Sequence, residues 1–253
     1  MCYDVNFTTK YELITAYLPD IIIDQNIKMD LLFQPHRQAQ AHSPSPIVTF
    51  ENANYHLTLM EWGVIADYMN TPELVKEKRA SMCNARADKI LDKKSYWNRI
   101  RKNRCLIPVS GIYEHRAVKG FKTKIPYHVK LKGEALTFIP ALYANSKAAL
   151  TTSKRDIRTY SMVTRKANEI MAQIHNAKPE DPRMPLFLPF DLAQKWLLPD
   201  LTDAEIAEIL DFEIPSAQLE YWPVYSVRSS KPRPDSKEKH EPFPYENLPS
   251  LIY

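Results

Sequence analysis

At 253 residues, 44% hydrophobic, 25% charged and with a net charge of +4, the chain has the make-up of one large or two small soluble globular domains. No apolar run reaches the ~18 residues that a membrane helix needs, and the opening residues lack the basic start and continuous apolar core of a secretory leader. Cys2, Cys83 and Cys105 are an odd number without metal-like spacing, which argues against a disulfide scaffold or zinc site and for a reducing, cytoplasmic setting.

In chain order, residues 8–20 predict a short amphipathic helix stopped by Pro19, and 34–47 a polar loop punctuated by proline. Alternation over 55–65 predicts a strand. Thr71-Pro72-Glu73 opens a helix over 71–82, and 95–104 reads as another. Strands are expected at 105–117, 126–133, 136–144 and 158–167, then a helix over 168–177 with Asn168 as its N-cap. Two more short helices and a strand at 219–227 follow. From 229 to 253 the chain is rich in proline and charge and reads as a tail that wraps the surface or stays partly disordered. With no βαβ rhythm and no glycine-rich phosphate loop, residues 2–228 predict one α+β domain of antiparallel sheets.

Charge is concentrated. Residues 76–104 hold eleven Lys and Arg against three Asp and Glu, a net +8, with Tyr96 and Trp97 interleaved. That pattern suits a polyanion, with aromatic rings available to stack on bases.

Four places bear chemistry. Once a preceding methionine is removed, Cys2 presents an amine and a thiol on adjacent carbons. The amine, with an ordinary pKa of ~7.7–8.0, is partly neutral at pH 7. It forms a Schiff base with an aldehyde, and the thiol then closes a five-membered thiazolidine ring. Asn84, in Cys83-Asn84-Ala85-Arg86, offers amide hydrogen bonds, and Arg86 a planar fork suited to phosphate. Glu114 ends an apolar strand, where burial raises a carboxyl toward neutrality and fits it for proton transfer. His175 is the second acid–base candidate, and Arg183 is held between Pro182 and Met184-Pro185.

Taken together, these stretches resemble the SRAP family, the SOS-response-associated peptidases also called abasic site processing proteins. The resemblance is carried, in order, by Met1-Cys2, Trp62-Gly63, Asn84-Ala85-Arg86, Arg104-Cys105-Leu106-Ile107-Pro108, Gly111-Ile112-Tyr113-Glu114, Thr164, Ala167-Asn168, Ile174-His175 and Arg183-Met184-Pro185. It departs from the family pattern at Tyr3-Asp4, where Gly-Arg is common, at Ala66 in place of a proline, and at His115 in place of tryptophan.

The resemblance implies a compact domain of antiparallel, barrel-like β-sheets with peripheral helices. It implies a DNA-damage protein of the SOS response that binds single-stranded DNA and captures abasic sites as a thiazolidine on Cys2. It also implies thiol-dependent autoproteolytic removal of Met1 and a lyase activity. Asn84 would orient the opened sugar, and Glu114 and His175 would move protons. Arg86, Arg104, Trp62 and Arg183 are the expected DNA contacts. No metal or cofactor is implied. The expected state is a cytoplasmic monomer, on the nucleoid when bound to DNA. Two alternatives remain at this level: a thiol peptidase acting on other proteins, and a non-catalytic single-strand binder.

Overall fold

The computed structural model describes residues 2–10, 12–27, 33–229 and 231–252. Strand β1 (Asp4–Phe7) leads into helix α1 (Glu12–Tyr17), shorter than the sequence suggests, and then the brief strand β2 (Ile22–Ile23). The polar stretch expected to be a loop instead forms strand β3 (Gln34–Gln38) and the start of strand β4 (Pro44–Glu51). Proline is tolerated in both for a physical reason. β3 is a sheet edge, and β4 bridges its second neighbour only at Val48, past Pro44 and Pro46.

Strand β5 (Asn54–Trp62) ends at Gly63, whose φ of +94° favours glycine and whose added Cβ would lie 2.9 Å from the His42 ring. Helix α2 (Pro72–Lys78) is capped by the Thr71 hydroxyl, as its sequence predicts. Strand β6 (Asn84–Arg86) and two single-turn helices, α3 (Ala87–Ile90) and α4 (Tyr96–Arg99), follow. The expected 105–117 strand is two: β7 (Arg104–Val109) and β8 (Gly111–Arg116). Next come β9 (Ile125–Leu131), β10 (Thr137–Ser146), β11 (Ile157–Lys166), α5 (Glu169–Ile174), β12 (Arg183–Pro185), α6 (Phe190–Leu197), α7 (Asp203–Asp211) and β13 (Leu219–Pro223). Asn168 caps α5 as expected, its Oδ1 accepting the Met171 N–H.

Five strands close a ring. β11, β10, β7, β4 and β5 pair antiparallel in that order, and β5 returns to β11 in parallel, with Met60 opposite Arg158 and Trp62 opposite Tyr160. The α+β, barrel-like architecture is as predicted. The refinement is that the pairs β5–β11, β6–β11 and β2–β5 are parallel. A second, antiparallel sheet runs β13-β9-β8-β1-β3.

The chain passes from the barrel to this sheet at Ser110-Gly111, where β7 becomes β8. The corner is tight: a Cβ on Gly111 would lie 2.4 Å from Nε2 of the buried His128. One apolar core packs α1, α6 and α7 on the barrel through Ile14, Trp196 and Ile206. The other joins barrel and second sheet through Ile107, Ile139, Ile112 and Val129, and contains Cys2. The tail is ordered over 231–252 and wraps the second sheet. Phe243 N–H bonds to Pro223 O, Tyr245 OH to Val224 O, and Trp222 Nε1 to His240 O. Among the described residues no helix is long and apolar enough to cross a membrane.

Gly111→Ala is expected to destabilise the fold by about 1–3 kcal/mol, because the backbone or His128 must move to admit one methyl group. The denaturant midpoint measures it; an unchanged midpoint would contradict the tight corner.

Candidate functional site

The second residue is not frayed. β1 lies between β8 and β3, and Ala39 N–H bonds to Tyr3 O at 2.8 Å, so the N-terminal strand is paired on both sides. Cys2 is fully buried as a result. Its Sγ donates to Glu114 Oε2 at 3.1 Å, while Glu114 Oε1 accepts the His115 N–H at 3.0 Å. Burial pushes the Glu114 carboxyl from 4.5 to about 7, against the two hydrogen bonds it accepts. Burial also pushes the Cys2 thiol well above its ordinary value, and the neighbouring carboxylate adds to this. At neutral pH the pair is therefore a protonated thiol aimed at a carboxyl close to half-ionised.

Asp4 explains how a chain with Tyr-Asp after its cysteine holds this strand. The carboxylate is 1% exposed, bonded to His36 Nε2 at 2.7 Å and to Arg228 at 3.1 and 2.5 Å. Burial alone would raise it, but these two partners hold it below the ordinary aspartate range.

The other candidates arrive on β11 and its neighbours. β6 runs parallel to β11 with Asn84 opposite Met162, and β12 pairs with its C-terminal end, Arg183 opposite Lys166. Asn84 is 6% exposed, and neither its Oδ1 nor its Nδ2 has a hydrogen-bond partner among the described residues. Such a group costs ~1–3 kcal/mol per unmet polar atom, which a bound ligand would offset.

His175 closes α5, and its Nδ1 accepts the Arg183 N–H at 3.2 Å. Burial pushes its pKa down to about 4, so the ring is neutral at pH 7, with the proton on Nε2 because Nδ1 is accepting. Helix α5 packs on β8, which brings the His175 and Glu114 elements together. Arg183 itself is buried, bonding Thr164 O through Nη2.

Arg86 is 44% exposed and held by Asp88 and Asp181 at 3.1 and 2.7 Å. Arg86, Arg183, Arg165 and Lys166, with Asp88, Glu180, Asp181 and Asp211 among them, line an open cleft of about 490 Å³.

Two expectations are corrected. Arg104 is 4% exposed, and its guanidinium bonds the carbonyls of Arg101, Trp196, Leu198 and Pro199. It ties the end of α6 to the barrel and has no face for phosphate. Trp62 is 1% exposed, stacked on Tyr160 and donating its indole N–H to Cys83 O at 2.8 Å. It positions the residue before Asn84 and does not meet a base.

The +8 segment is also less basic than its sequence. Arg79 is buried against Glu61, and Arg86, Arg99 and Arg101 are paired with Asp181, Asp67 and Asp203 from elsewhere. Lys76, Lys78, Lys93, Lys94 and Lys102 carry no ion pair among the described residues. One exposed aromatic on this side escaped the sequence reading. Tyr68 is 46% exposed, with Lys78 Nζ 5.9 Å from its ring centre. Its position five residues after the glycine of the barrel strand-ending Trp62-Gly63 pair was the available clue.

Fold and site together define a class: a small barrel protein that keeps its N-terminal thiol on a buried carboxyl, with Arg183 joining His175 to a cleft lined by basic and acidic side chains. The sequence profile of SOS response associated peptidase (SRAP) matches residues 1–229, and the chain belongs to that family. Residues beyond 229 lie outside the match. Among characterised proteins, the chain is 28% identical over 236 residues to abasic site processing protein YoaM of Bacillus subtilis, covering 90% of this chain and 95% of that one. It is 30% identical over 224 residues to YoqW of the same organism, also an abasic site processing protein, covering 87% and 92%. A solved protein structure from Bacteroides thetaiotaomicron superposes with a TM-score of 0.75 at 26% identity, covering 95% of this chain and 97% of the other.

Burying Glu114 has a cost that can be measured. The folded chain holds this proton up to about pH 7, whereas a free glutamate loses it near 4.5. Folded stability is therefore unpenalised below pH 4.5, falls between 4.5 and 7, and is lower by about 3 kcal/mol above that window. Glu114→Gln, which cannot ionise, is expected to be more stable than the unmodified chain at pH 8 and equal to it at pH 4.5. Denaturant unfolding at the two pH values checks this; no difference at pH 8 would contradict it.

Proposed function

We propose that the protein captures abasic sites in single-stranded DNA by forming a thiazolidine between Cys2 and the aldehyde of the ring-opened sugar. The observation that carries the reading is the buried Cys2 thiol donating to Glu114 at 3.1 Å. The abasic-site processing named for the Bacillus subtilis relatives supports it.

The steps follow from the groups present. The neutral Cys2 amine adds to the aldehyde carbon, and the carbinolamine oxygen leaves as water after taking a proton from an acid, a role open to Glu114 in its protonated form. Loss of water leaves the imine protonated on nitrogen; the thiol then adds to its carbon and gives its proton to the Glu114 carboxylate, leaving a neutral ring nitrogen. The products are one ring and one water. A carboxyl near pH 7 serves both directions, since each step needs a different protonation state. Neutral His175, with its proton on Nε2, is a donor to the opened sugar, and the Asn84 amide, without a hydrogen-bond partner among the described residues, binds the sugar's hydroxyls.

Free amine is a prerequisite. Attack of Sγ on the Met1 carbonyl would move the acyl group from nitrogen to sulfur, freeing the amine, and water would then release methionine from the thioester. Arg86 and Arg183 along the cleft, with the unpaired lysines of residues 76–102, supply phosphate contacts, and Tyr68 supplies a face for a base. An abasic nucleotide in a single strand has no partner base to displace, which removes the usual cost of extrusion.

The second reading, a protease acting on other chains, asks more of this thiol. Thiolate is the nucleophile in such enzymes, and burial holds the Cys2 thiol protonated, which suits addition to an activated imine beside its own amine better than attack on an unactivated peptide of another chain.

The test is incubation with a single-stranded oligonucleotide treated with uracil glycosylase. The unmodified chain is expected to give a heat-stable adduct on a denaturing gel, and Cys2→Ala none. Adduct from Cys2→Ala would overturn the reading. Glu114→Gln is expected to slow adduct formation by ~10² or more, the range of lost general acid–base catalysis. The fall in rate as pH drops through about 7 is expected to be altered in that variant.

A further inference from the structure

The strand and helix that bring Glu114 and His175 together both end close to these residues, β8 at Arg116 and α5 at Ile174. β1 pairs with β8 only as far as Tyr113, opposite Asp4. From Glu114 to Arg116, β8 pairs with β9, while its paired register with β1 ends at Tyr113. Helix α5 is six residues long, too short to be stable by itself, and His175 follows it with non-helical ψ of 56°. Yet two separate ties cross this gap.

The first is the Asn176 amide. Its Oδ1 accepts the Ala117 N–H and its Nδ2 donates to Ala117 O, both at 2.8 Å, locking the residue after His175 to the residue after β8. The second is the C-terminal segment. Arg116 donates to Pro249 O at 2.6 Å, and Gln173 exchanges two hydrogen bonds with the Ile252 backbone at 2.6 and 2.9 Å. Arg116 lies two residues beyond Glu114 on its strand, and Gln173 two residues before His175 on its helix. Leu248 and Leu251, each next to one of these anchors, pack on the core that contains Cys2. Upstream, buried Arg233 gathers the carbonyls of Glu238, Glu241 and Pro242, so the segment approaches as a folded unit.

We propose that Asn176 and the strap of residues 231–252 form a brace that sets the spacing of Glu114 and His175, making Asn176, Arg116 and Gln173 positioning residues for the reaction at Cys2. The proposal rests on the function inferred above. None of the three is assigned contact with DNA or the aldehyde. Their effect is geometric, and a misplacement of about 1 Å at such a site costs on the order of 10²-fold in rate.

The experiment uses full-length Asn176→Ala, Asn176→Asp and the double variant Arg116→Ala/Gln173→Ala, each checked for folding by thermal melting. Single-turnover adduct formation is measured against the concentration of abasic single-stranded oligonucleotide. The brace predicts a maximal rate lower by ~10-fold or more in Asn176→Ala and in the double variant, with the half-saturating DNA concentration unchanged. Asn176→Asp, which keeps an acceptor for the Ala117 N–H but loses the donor, is expected to fall between. Folded variants with unchanged maximal rates overturn the brace alone, as does a loss of rate matched by a loss of DNA affinity. No adduct from the unmodified chain overturns the proposed function and the brace with it.

Discussion

Taking a carboxyl out of water beside a thiol governs most of this structure. Glu114 and Cys2 are both buried; burial raises the proton affinity of each, and the carboxylate raises that of the thiol further. An ionised carboxylate in such a place is costly, so the protein must fix it with hydrogen bonds and close the surroundings around it. β1 does this by becoming an interior strand of the second sheet, with Asp4 anchored by His36 and Arg228 two residues from the cysteine. A second residue is ordinarily tolerant of change; here it lies in a core.

The barrel supplies the rest of the site. Closing five strands requires β5 to return to β11, and that leaves the far half of β11 to take β6 and β12. Those two short strands carry Asn84, Arg86 and Arg183. Buried Trp62 and the Arg79–Glu61 pair secure the same region, Trp62 through Cys83 O and Arg79 through Gly63 O. Residues that look like ligand contacts in sequence thus hold the barrel in the shape that presents the ligand contacts.

The division between what the sequence shows and what it hides follows from this. Long alternating strands such as β5, β10 and β11 are legible because their pattern is local. β6 and β12 are not: Asn-Ala-Arg and Arg-Met-Pro have no strand pattern and are extended only because β11 offers a partner. β3 reads as a loop because an edge strand admits proline. Cys2, Asn84, Glu114 and His175 are legible from their residue types and motif context, and Cys2–Glu114 contact is observed. Arg104 and Trp62 mislead because burial is decided by distant segments; the carbonyls that take up Arg104 come from the end of α6 and the residues after it. Likewise a linear charge count misses Asp67, Asp181 and Asp203, which reach the basic segment only in the fold.

The central claim is that amine and thiol of one residue both bond to one carbon of the lesion. Mass spectrometry of the digested adduct from the unmodified chain and abasic single-stranded DNA tests it most directly. The account predicts a peptide beginning at Cys2, one water lighter than peptide plus lesion, whose sulfur resists alkylation because it is in the ring. DNA attached to a lysine, or an adduct in which the Cys2 thiol still alkylates, would contradict it.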